Sequence, residues 1–370
     1  MTDPYADIRP YNDNEVSGVV DALQHNQELL DVITKYKFPT LHKFFGFALR
    51  PLVRLAISRE LRNVKDIRSW QLVVAKYMQR MINTSIDQLT YSGVEHLAPD
   101  KAYLFISNHR DIAMDPALVN WGLYTHNLDT VRIALGDNLL KKSYVSDIMR
   151  LNKSFVVKRS AQGMREKMKA YLDLSTYIDE SVHTGHNIWI AQREGRAKNG
   201  VDASDPAVMK MLYMCKKKSG QSYADYIDSL HIVPVSISYQ YDPCDQSKAI
   251  ELAAVEDGGS YTKGEFEDIS SIVKGIVGNK GNVHVAFGKP LYGGVSSPEE
   301  LVDWLDTSIA NNYQFHDTNH AALAMLQGES HRAELELEQR TAGLNKAQRE
   351  QLLAMYANPI KRQQELNKEA

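Results

Sequence analysis

The pattern of apolar and polar positions divides the chain into a helical beginning, a mixed middle and a helical end. Residues 13–90 contain no strand-like alternation, and apolar side chains recur within 66–89 at the period of an α-helix. After Pro298 the pattern is helical again. Between these parts, short apolar runs typical of buried strands alternate with helix-like stretches. The runs are 102–107, 131–135, 154–157, 187–191, 232–239 and 282–287, and the helix-like stretches lie around 113–124, 143–151, 165–183 and 206–229.

This order of elements predicts an α/β fold. Strands that alternate with helices favour a largely parallel central sheet flanked by helices, here with an N-terminal helical extension and a C-terminal helical tail. A length of 370 residues fits one such domain with sizeable helical additions. We predict three parts: a helical, basic region at 1–95, the α/β domain at 96–295 and a helical extension at 296–370.

Residues 35–80 combine positive charge with apolar side chains. The block holds 11 Lys and Arg but only two acids, a net charge of +9, although the whole chain carries −3. Its apolar residues, among them Phe44, Phe45, Phe47 and Leu52, are interleaved with cations at roughly helical spacing, which is typical of a helix lying on a membrane. No uncharged apolar run approaches the ~18 residues of a membrane-spanning helix. We expect this block to dock on a phospholipid surface; the alternative is a packed helix with a solvated basic face.

Composition and standard motifs exclude several classes of protein. The chain has only two cysteines, too few for a disulfide scaffold or a cysteine-ligated zinc site, and their scarcity suits a reducing compartment. The N-terminal residues lack the basic and apolar regions of a secretory signal. The sequence contains no P-loop, no glycine-rich dinucleotide motif, no G-x-S-x-G elbow and no H-E-x-x-H pair. The commonest functions of α/β chains are therefore excluded.

A polar cluster directly follows the first strand of the mixed region. It contains Asn108, His109, Arg110, Asp111 and Asp115. Open α/β sheets place active sites at the carboxyl ends of their strands. His109 is suited to accept a proton from a substrate hydroxyl, with a carboxylate on its other ring nitrogen to fix the tautomer. Both Asp111 and Asp115 are candidates for that partner, and Asp115 requires His109 in the loop, because residues six apart in one helix do not face each other.

Two further strands end in cationic residues. The strand at 187–191 leads into residues 192–200, a loop with three cations, one acid and two glycines. The strand at 154–157 leads into Lys158 and Arg159. Glycines permit tight turns, and arginine forks match the geometry of phosphate. The three strand ends together indicate one pocket for a phosphate-like ligand that bears a nucleophilic hydroxyl.

These clusters, in this order, resemble the motifs of the glycerolipid acyltransferases, which esterify glycerol 3-phosphate and lysophosphatidic acid. FISNHRDIAMDP is similar to the first motif of that family, FVVKRS to the second, IAQREGRAKNG to the third and IVPVSISY to the fourth. NVHVAFGKPL matches a late strand of the family. The resemblance covers roughly residues 100–290, and five matches in family order are far more specific than any one of them.

The resemblance implies roles for individual residues. In the family the motif histidine is the base that activates the acceptor hydroxyl and the aspartate is its partner, which implies His109 and Asp115 as the catalytic pair. The arginines of the second and third motifs bind phosphate, and Pro234 marks the strand near the acyl donor. No metal is implied. The substrate-binding residues expected on this basis are Asn108, Arg110, Arg159, Glu194, Gly195, Arg196 and Lys198.

The sequence departs from the family pattern at two places. Five residues separate His109 from Asp115, where the family has four, and the third motif is one residue short before Arg196. The first departure keeps Asp111 as an alternative partner of the histidine. The Asp-Pro pair at residues 115–116 is a common family form and favours Asp115.

The implied function is that of an O-acyltransferase of phospholipid biosynthesis. Its donor is acyl-CoA or acyl-acyl-carrier-protein, a co-substrate rather than a bound cofactor, and its acceptor is a lysophospholipid or glycerol-phosphate-type molecule. The implied partners are a phospholipid membrane surface and, as one of the two donor carriers, acyl carrier protein; nucleic acid is not among them. We expect the protein in the cytoplasm, attached peripherally to the inner face of the cytoplasmic membrane.

Two other functions compete with this interpretation. The first is a catalytically inactive, lipid-binding protein with an acyltransferase fold, which would tolerate the loss of His109. The second is a nucleic-acid binder that uses residues 35–80. It is disfavoured because the apolar residues of that block form a face to be buried, and the block lacks the aromatic and basic sheet motif of common RNA-binding domains.

Overall fold

The computed structural model describes residues 3–256, 258, 261, 264 and 267–369, with the side chains of 42–46 and 369 outside the described part. The described residues form seven β-strands and fifteen α-helices. The strands are β1 (Gln88–Ser92), β2 (Leu104–Ser107), β3 (Arg132–Gly136), β4 (Ser154–Val157), β5 (Ile188–Ala191), β6 (Ile232–Tyr239) and β7 (Asn282–Phe287). The helices are α1 (Asp13–His25), α2 (Gln27–Lys37), α3 (Pro39–Leu61), α4 (Ile67–Ser85), α5 (Met114–Thr125), α6 (Ser143–Leu151), α7 (Gly163–His183), α8 (Pro206–Leu212), α9 (Tyr223–Ser229), α10 (Asp245–Glu256), α11 (Glu267–Val277), α12 (Pro298–Asn311), α13 (Asp317–Gln327), α14 (Glu334–Thr341) and α15 (Lys346–Glu369).

The chain packs as two compact units. The first unit comprises Met1–Gln79 and Arg132–Ala170, and the second comprises Arg80–Val131 and Tyr171–Ala370. This division does not test the domain limits expected from the sequence, at residues 95 and 295, which stay predictions.

Five strands of the second unit lie side by side in the order β1-β7-β6-β2-β5. β2 pairs in parallel with β5 and β6, and β1 with β7, whereas β6 and β7 are antiparallel. β2 and β6 are buried along their whole length, as continuous apolar runs predict for strands covered on both faces. Four helices precede the first strand and four follow the last. The predicted α/β fold, with a largely parallel sheet and helical extensions, is confirmed.

The register of β2 determines which loops meet. Ser107, the last residue of β2, lies beside Ala191, the last residue of β5. Ser107 also lies beside Val235 of β6. Because β2 and β5 are parallel, residues 108–116 and 192–200 leave the sheet at the same edge and next to each other.

The C-terminal helices pack closely within the second unit. The Asn358 side chain of α15 donates a hydrogen bond to the Asn199 carbonyl at 2.8 Å. Gly200 has a φ of +77°, and a Cβ on it would lie 2.0 Å from the Met355 carbonyl oxygen, so only glycine fits there. The tail is therefore a docked element. Its core with α10 consists of Ala249, Ala321, Ala322, Ala333, Leu337, Leu352, Leu353, Met355, Tyr356 and Ala357.

The first unit is built around its N-terminal helices. α1 begins with a capping box, in which Asn12 and Glu15 each accept a backbone N–H of the other. β3 and β4 pair in parallel, with Ile133 beside Ser154. Helices α1, α2, α3, α4 and α6 share a core that consists of Val16, Val20, Leu23, Leu29, Leu61, Val64, Ile67, Trp70 and Leu151.

Helix α3 contains Phe47 and Leu52 of the basic and apolar block. It continues through Pro51, which lies inside the helix. Phe47 is 76% exposed and Leu52 is 63% exposed, so these apolar side chains are not part of the core. The side chains of Phe44 and Phe45 lie outside the described residues. Across the helices that the structure describes, none has the length and apolar character needed to cross a membrane.

The elements differ from the sequence pattern in three places. The helix expected over 66–89 ends at Ser85, and residues 88–92 form strand β1 instead. The helix-like stretch 206–229 is two short helices, α8 and α9, separated by a turn. Helices α10 and α11, between β6 and β7, had not been predicted.

Candidate active site

His109 and Asp115 form a hydrogen-bonded pair at the carboxyl end of β2. His109 lies in the loop and Asp115 in the first turn of α5, which is the arrangement that their pairing requires. His109 Nδ1 is 2.8 Å from Asp115 Oδ2. The Asp115 side chain has no exposed surface, whereas that of His109 is 14% exposed. With Nδ1 engaged by the carboxylate, Nε2 is the nitrogen suited to take a proton from a substrate.

Four donors hold the Asp115 carboxylate in place. Besides His109, the backbone N–H groups of Arg110 and Asp111 donate to Oδ2 at 2.6 and 2.9 Å. The Tyr239 hydroxyl, at the end of β6, donates to Oδ1 at 2.7 Å. Burial, reinforced by the negative charge of Asp115, raises the pKa of Tyr239 well above its ordinary value, so the phenol remains a donor. A carboxylate held by several donors is a fixed orienting group for the imidazole.

Asp111 has a different role from Asp115. Its Oδ1 accepts the backbone N–H groups of Ala113 and Met114 at 3.0 and 2.9 Å, where α5 begins. Its Oδ2 lies against Gly275 of α11, where a Cβ would approach to 2.1 Å. Burial, together with the charge of Asp115, raises the pKa of Asp111. Asp111 therefore caps the helix, and Asp115 is the hydrogen-bond partner of His109.

The neighbours of His109 bind other parts of the protein. The Asn108 amide donates to the Ile237 carbonyl at 3.0 Å and accepts from the Ile237 N–H at 2.8 Å. Arg110 donates to Asp202 at 2.7 Å and to the Gly200 carbonyl at 3.2 Å. Both side chains are buried; Asn108 ties the histidine loop to β6, and Arg110 ties it to the loop after β5. Their predicted part in substrate binding stays a prediction.

The loop after β5 lies directly against His109. The Ala197 N–H donates to the His109 carbonyl at 2.7 Å, which brings Arg196 beside the histidine loop. Gly195 has a φ of +77°, the left-handed region that glycine adopts without strain. Arg196 is partly buried and, within the described residues, makes no hydrogen bond or ion pair. Lys198 forms an ion pair with Glu251 of α10.

The remaining predicted site residues lie at exposed positions. Glu194 is exposed in the loop after β5. Arg159 follows β4 in the first unit, where its backbone N–H donates to Asp137 at 3.2 Å. The contribution of these two residues to a phosphate site stays a prediction. In the part of the chain that the structure describes, no three His, Cys, Asp or Glu side chains come together as a metal site requires.

Three residues near the site were missed in the sequence. Trp189 of β5 packs its ring edge-on against His109, with 5.7 Å between the ring centroids. Its indole N–H donates to Ser107 Oγ at 3.0 Å. Tyr239 and Asp202, described above, complete the group. Tyr239 is signalled only by its place at the carboxyl end of a predicted strand, and nothing in the sequence points to Asp202.

A buried ion pair contacts the backbone of the histidine loop. Lys248 of α10 donates to the Arg110 carbonyl at 2.7 Å and forms an ion pair with Asp242. Burial alone would raise the pKa of Asp242, but the ammonium of Lys248 outweighs it and holds that pKa below its usual value. Asp242 therefore remains charged, and the loop is tied to α10.

Part of the chain is similar to known proteins. The Acyltransferase family model matches residues 88–238, from β1 almost to the end of β6. A comparison with curated proteins finds no match. Among solved structures, the chain is similar to the crystal structure of the 1-acyl-sn-glycerophosphate (LPA) acyltransferase PlsC from Thermotoga maritima. The two share 16% identity at a TM-score of 0.40, over 77% of this chain and 94% of that one. The Acyltransferase model thus covers the His109–Asp115 pair and the Arg196 loop, and the resemblance to acyltransferases seen in the sequence is confirmed for residues 88–238.

Proposed function

We propose that the protein transfers a fatty acyl group from an acyl thioester to the hydroxyl of a lysophospholipid or glycerol-phosphate-type acceptor in phospholipid biosynthesis. The observation that carries this proposal is the His109–Asp115 hydrogen bond at the carboxyl end of β2, beside the loop of Arg196. The family match supports acyl transfer as the chemistry. An arginine beside the base supports an anionic acceptor.

The proposed reaction is a direct transfer. The acceptor oxygen attacks the thioester carbonyl while Nε2 of His109 takes the hydroxyl proton, and the charge of Asp115 stabilises the imidazolium that forms. The tetrahedral oxyanion then collapses, the C–S bond breaks, and His109 returns the proton to the departing thiolate. The products are an ester and a free thiol. The thiol carrier, coenzyme A or acyl carrier protein, is a co-substrate, and the reaction needs no covalent enzyme intermediate.

The acceptor phosphate is proposed to lie on the loop after β5. The guanidinium of Arg196 has no protein partner among the described residues, and the Ala197–His109 contact fixes this loop beside the base. Gly195 adopts the left-handed conformation of a tight turn, and Glu194 and Lys198 border the same turn. The phosphate-binding role expected of Arg159, which belongs to the first unit, stays a prediction.

The membrane surface is proposed as the place of reaction. Acceptors with an acyl chain reside in a bilayer, and α3 presents Phe47 and Leu52 to the outside within a block of net charge +9. Such a helix binds anionic lipid by its charge and by its apolar side chains. On this basis we propose a peripheral protein on the inner face of the cytoplasmic membrane.

The acyl-transfer proposal is tested by incubating the purified protein with acyl-CoA or acyl-acyl-carrier-protein and a panel of lyso-acceptors, with products read by mass spectrometry. His109→Ala should lower the rate by ~10² or more, because it removes the proton acceptor. His126→Ala, at the exposed end of α5, is the matched control and should retain the native rate. A folded His109→Ala protein with native turnover would reject the mechanism and favour a lipid-binding protein without catalysis.

A further inference from the structure

Helix α7 carries an apolar stripe that the protein leaves exposed. Met164, Met168, Tyr171 and Leu172 follow the i, i+4, i+7, i+8 spacing that places side chains on one helix face. Their exposed fractions are 79%, 51%, 45% and 43%. Every residue from Gln162 to Lys169 is exposed, so the first two turns of the helix have no face buried in the protein. Packing within the protein therefore does not explain these large apolar side chains.

Cations border this α7 stripe on both sides. Arg165 and Lys167 are the flanking residues, since each lies within about 100° of the stripe along the helical wheel, whereas Glu166 is on the opposite side. In the portion of the chain that the structure describes, neither flanking cation forms an ion pair or side-chain hydrogen bond. Cations near a helix N-terminus oppose the helix dipole, so helix stability does not account for them.

The charge around the α7 stripe extends into the preceding loop. Residues 158–169 hold five Lys and Arg and one acid, a net charge of +4. A helix that lies in a membrane interface buries an apolar stripe among the acyl chains and directs flanking Lys and Arg outward to the lipid phosphates. The α7 stripe has this arrangement, with its acid turned to the other side.

We propose that the α7 stripe is a second membrane contact, separate from α3, which lies on an anionic bilayer. The inference rests on the proposed membrane-surface function and names a further surface that serves it. An anionic bilayer matches both the positive charge and the stripe, because it offers phosphates and acyl chains along the full two turns. An acidic carrier protein is the competing occupant, and the experiment separates the two.

The experiment measures binding of the full-length protein to two kinds of sedimented vesicle. The first contains phosphatidylcholine with roughly 30% phosphatidylglycerol, which gives an anionic surface. The second contains phosphatidylcholine alone. The double variant Met164→Ser/Met168→Ser should bind the anionic vesicles roughly tenfold more weakly, because it removes two side chains from the acyl region. Arg165→Gln and Lys167→Gln should each cost roughly fivefold at low salt and less at high salt.

Matched controls come from other exposed positions. Leu335, 68% exposed between two glutamates of α14, gives Leu335→Ser as the control for loss of an apolar side chain. Lys346, whose side chain is 91% exposed, gives Lys346→Gln as the control for loss of a charge. Both should bind as the native protein does. The variant Met168→Trp should show a blue-shifted emission quenched by brominated lipid, because the ring enters the acyl region.

The outcomes separate this inference from the proposed function. Native binding by the double methionine variant, together with a Met168→Trp emission that brominated lipid does not quench, would overturn the α7 contact while α3 docking stands. The double methionine variant could instead bind vesicles normally but turn over acyl-acyl-carrier-protein slowly and acyl-CoA at the native rate. That result would assign the stripe to the carrier protein and would also overturn the α7 membrane contact. A native protein that binds neither kind of vesicle would reject both the stripe and the membrane-surface function, whereas acyl transfer is judged independently by the His109→Ala assay.

Discussion

Asp111 and Asp115 are only four residues apart, but they have different hydrogen-bond partners and different roles. Asp111 precedes α5 and accepts the N–H groups of its first residues, whereas Asp115 lies within the helix and turns back toward the loop. That turn brings Asp115 Oδ2 within reach of His109 Nδ1. The extra residue between His109 and Asp115, compared with the glycerolipid acyltransferase pattern, is thus accommodated in the loop and does not break the pair.

The two aspartates should respond differently to the same change. Asp115→Asn removes the charge that stabilises the imidazolium, so we expect kcat to fall by ~10² or more. Asp111→Asn keeps an oxygen that accepts from Ala113 and Met114, so its rate should fall by less than about tenfold. Saturating kinetics on both variants, with thermal unfolding to verify their folds, check the expectation. A larger loss in Asp111→Asn would identify it as the functional partner.

His316 should make the protein sensitive to acid. It precedes α13, is 7% exposed, and burial lowers its pKa to about 4 from the 6.5 of a free histidine. Between pH 6.5 and 4 the unfolded chain binds the proton that the folded chain excludes, so the free energy of unfolding falls as the pH drops through this window. At ~1.4 kcal/mol per pKa unit the loss is about 3 kcal/mol by pH 4.

The variant His316→Asn tests this source of acid sensitivity. Asparagine is a good residue before a helix and does not titrate, so the variant should retain more of its stability in acid than the native protein. Urea unfolding at pH 7 and pH 4.5 measures the difference for both proteins. Equal losses of unfolding free energy in the two would show that another group causes the acid sensitivity.

At the scale of elements, the loop after β5 joins the base to the proposed phosphate ligand. Its position is fixed at two points, by the Ala197–His109 contact and by the packing of Gly200 against Met355. The change Arg196→Ala should therefore raise the KM for the acceptor about tenfold or more with little change for the donor, because a lost charge-assisted contact costs ~1.5–3 kcal/mol.

Arg193→Ala is the matched control for Arg196→Ala. It removes the same charge from an exposed position of the same loop, so it reports only the general effect of lost positive charge. Initial rates with each substrate varied in turn give the two KM values for both variants. Equal rises in the donor and acceptor KM values of Arg196→Ala would contradict the assignment of the acceptor phosphate to this loop.

The elements that the sequence predicted are those with strong local signals. β6 has eight consecutive buried residues, and its apolar run gave its bounds correctly. β1 was missed because its residues, QLTYS, are half-buried and largely polar and become a strand only by pairing with β7. His109 does meet Asp115 and the loop of Arg196, since the strand ends that carry them were recognisable. Asp202 was not recognisable, because it acts by accepting hydrogen bonds from Asn108 and Arg110, which are distant from it in sequence.

For the whole molecule, the charge is unevenly distributed along the chain. Residues 35–80 carry +9, which leaves −12 for the remainder of a chain with a net charge of −3. Part of the positive charge is engaged locally, as in the ion pair of Arg50 with Asp31 of α2. An anionic surface would therefore attract the basic block, although the whole chain carries a net negative charge.

This asymmetry predicts how membrane binding depends on salt and lipid. Each cation near an anionic surface contributes ~1 kcal/mol, and salt screens this attraction beyond ~10 Å at 0.1 M. Exposed apolar residues of α3 add a contribution that salt does not weaken, up to ~1.5–3 kcal/mol for each side chain fully withdrawn from water. Liposome flotation should therefore show binding that requires anionic lipid, falls as salt rises and levels off above zero.

The residual binding at high salt identifies the apolar contribution of α3. Leu52→Ser combined with Leu55→Ser removes two side chains that are 63% and 68% exposed, so the fold should be unaffected and the salt-resistant binding should fall. Leu335→Ser, equally exposed but flanked by glutamates, should leave it unchanged. Equal flotation with neutral and anionic vesicles would contradict the electrostatic part of the argument. Residual binding that is insensitive to the α3 double variant would assign the apolar contact to another surface of the molecule.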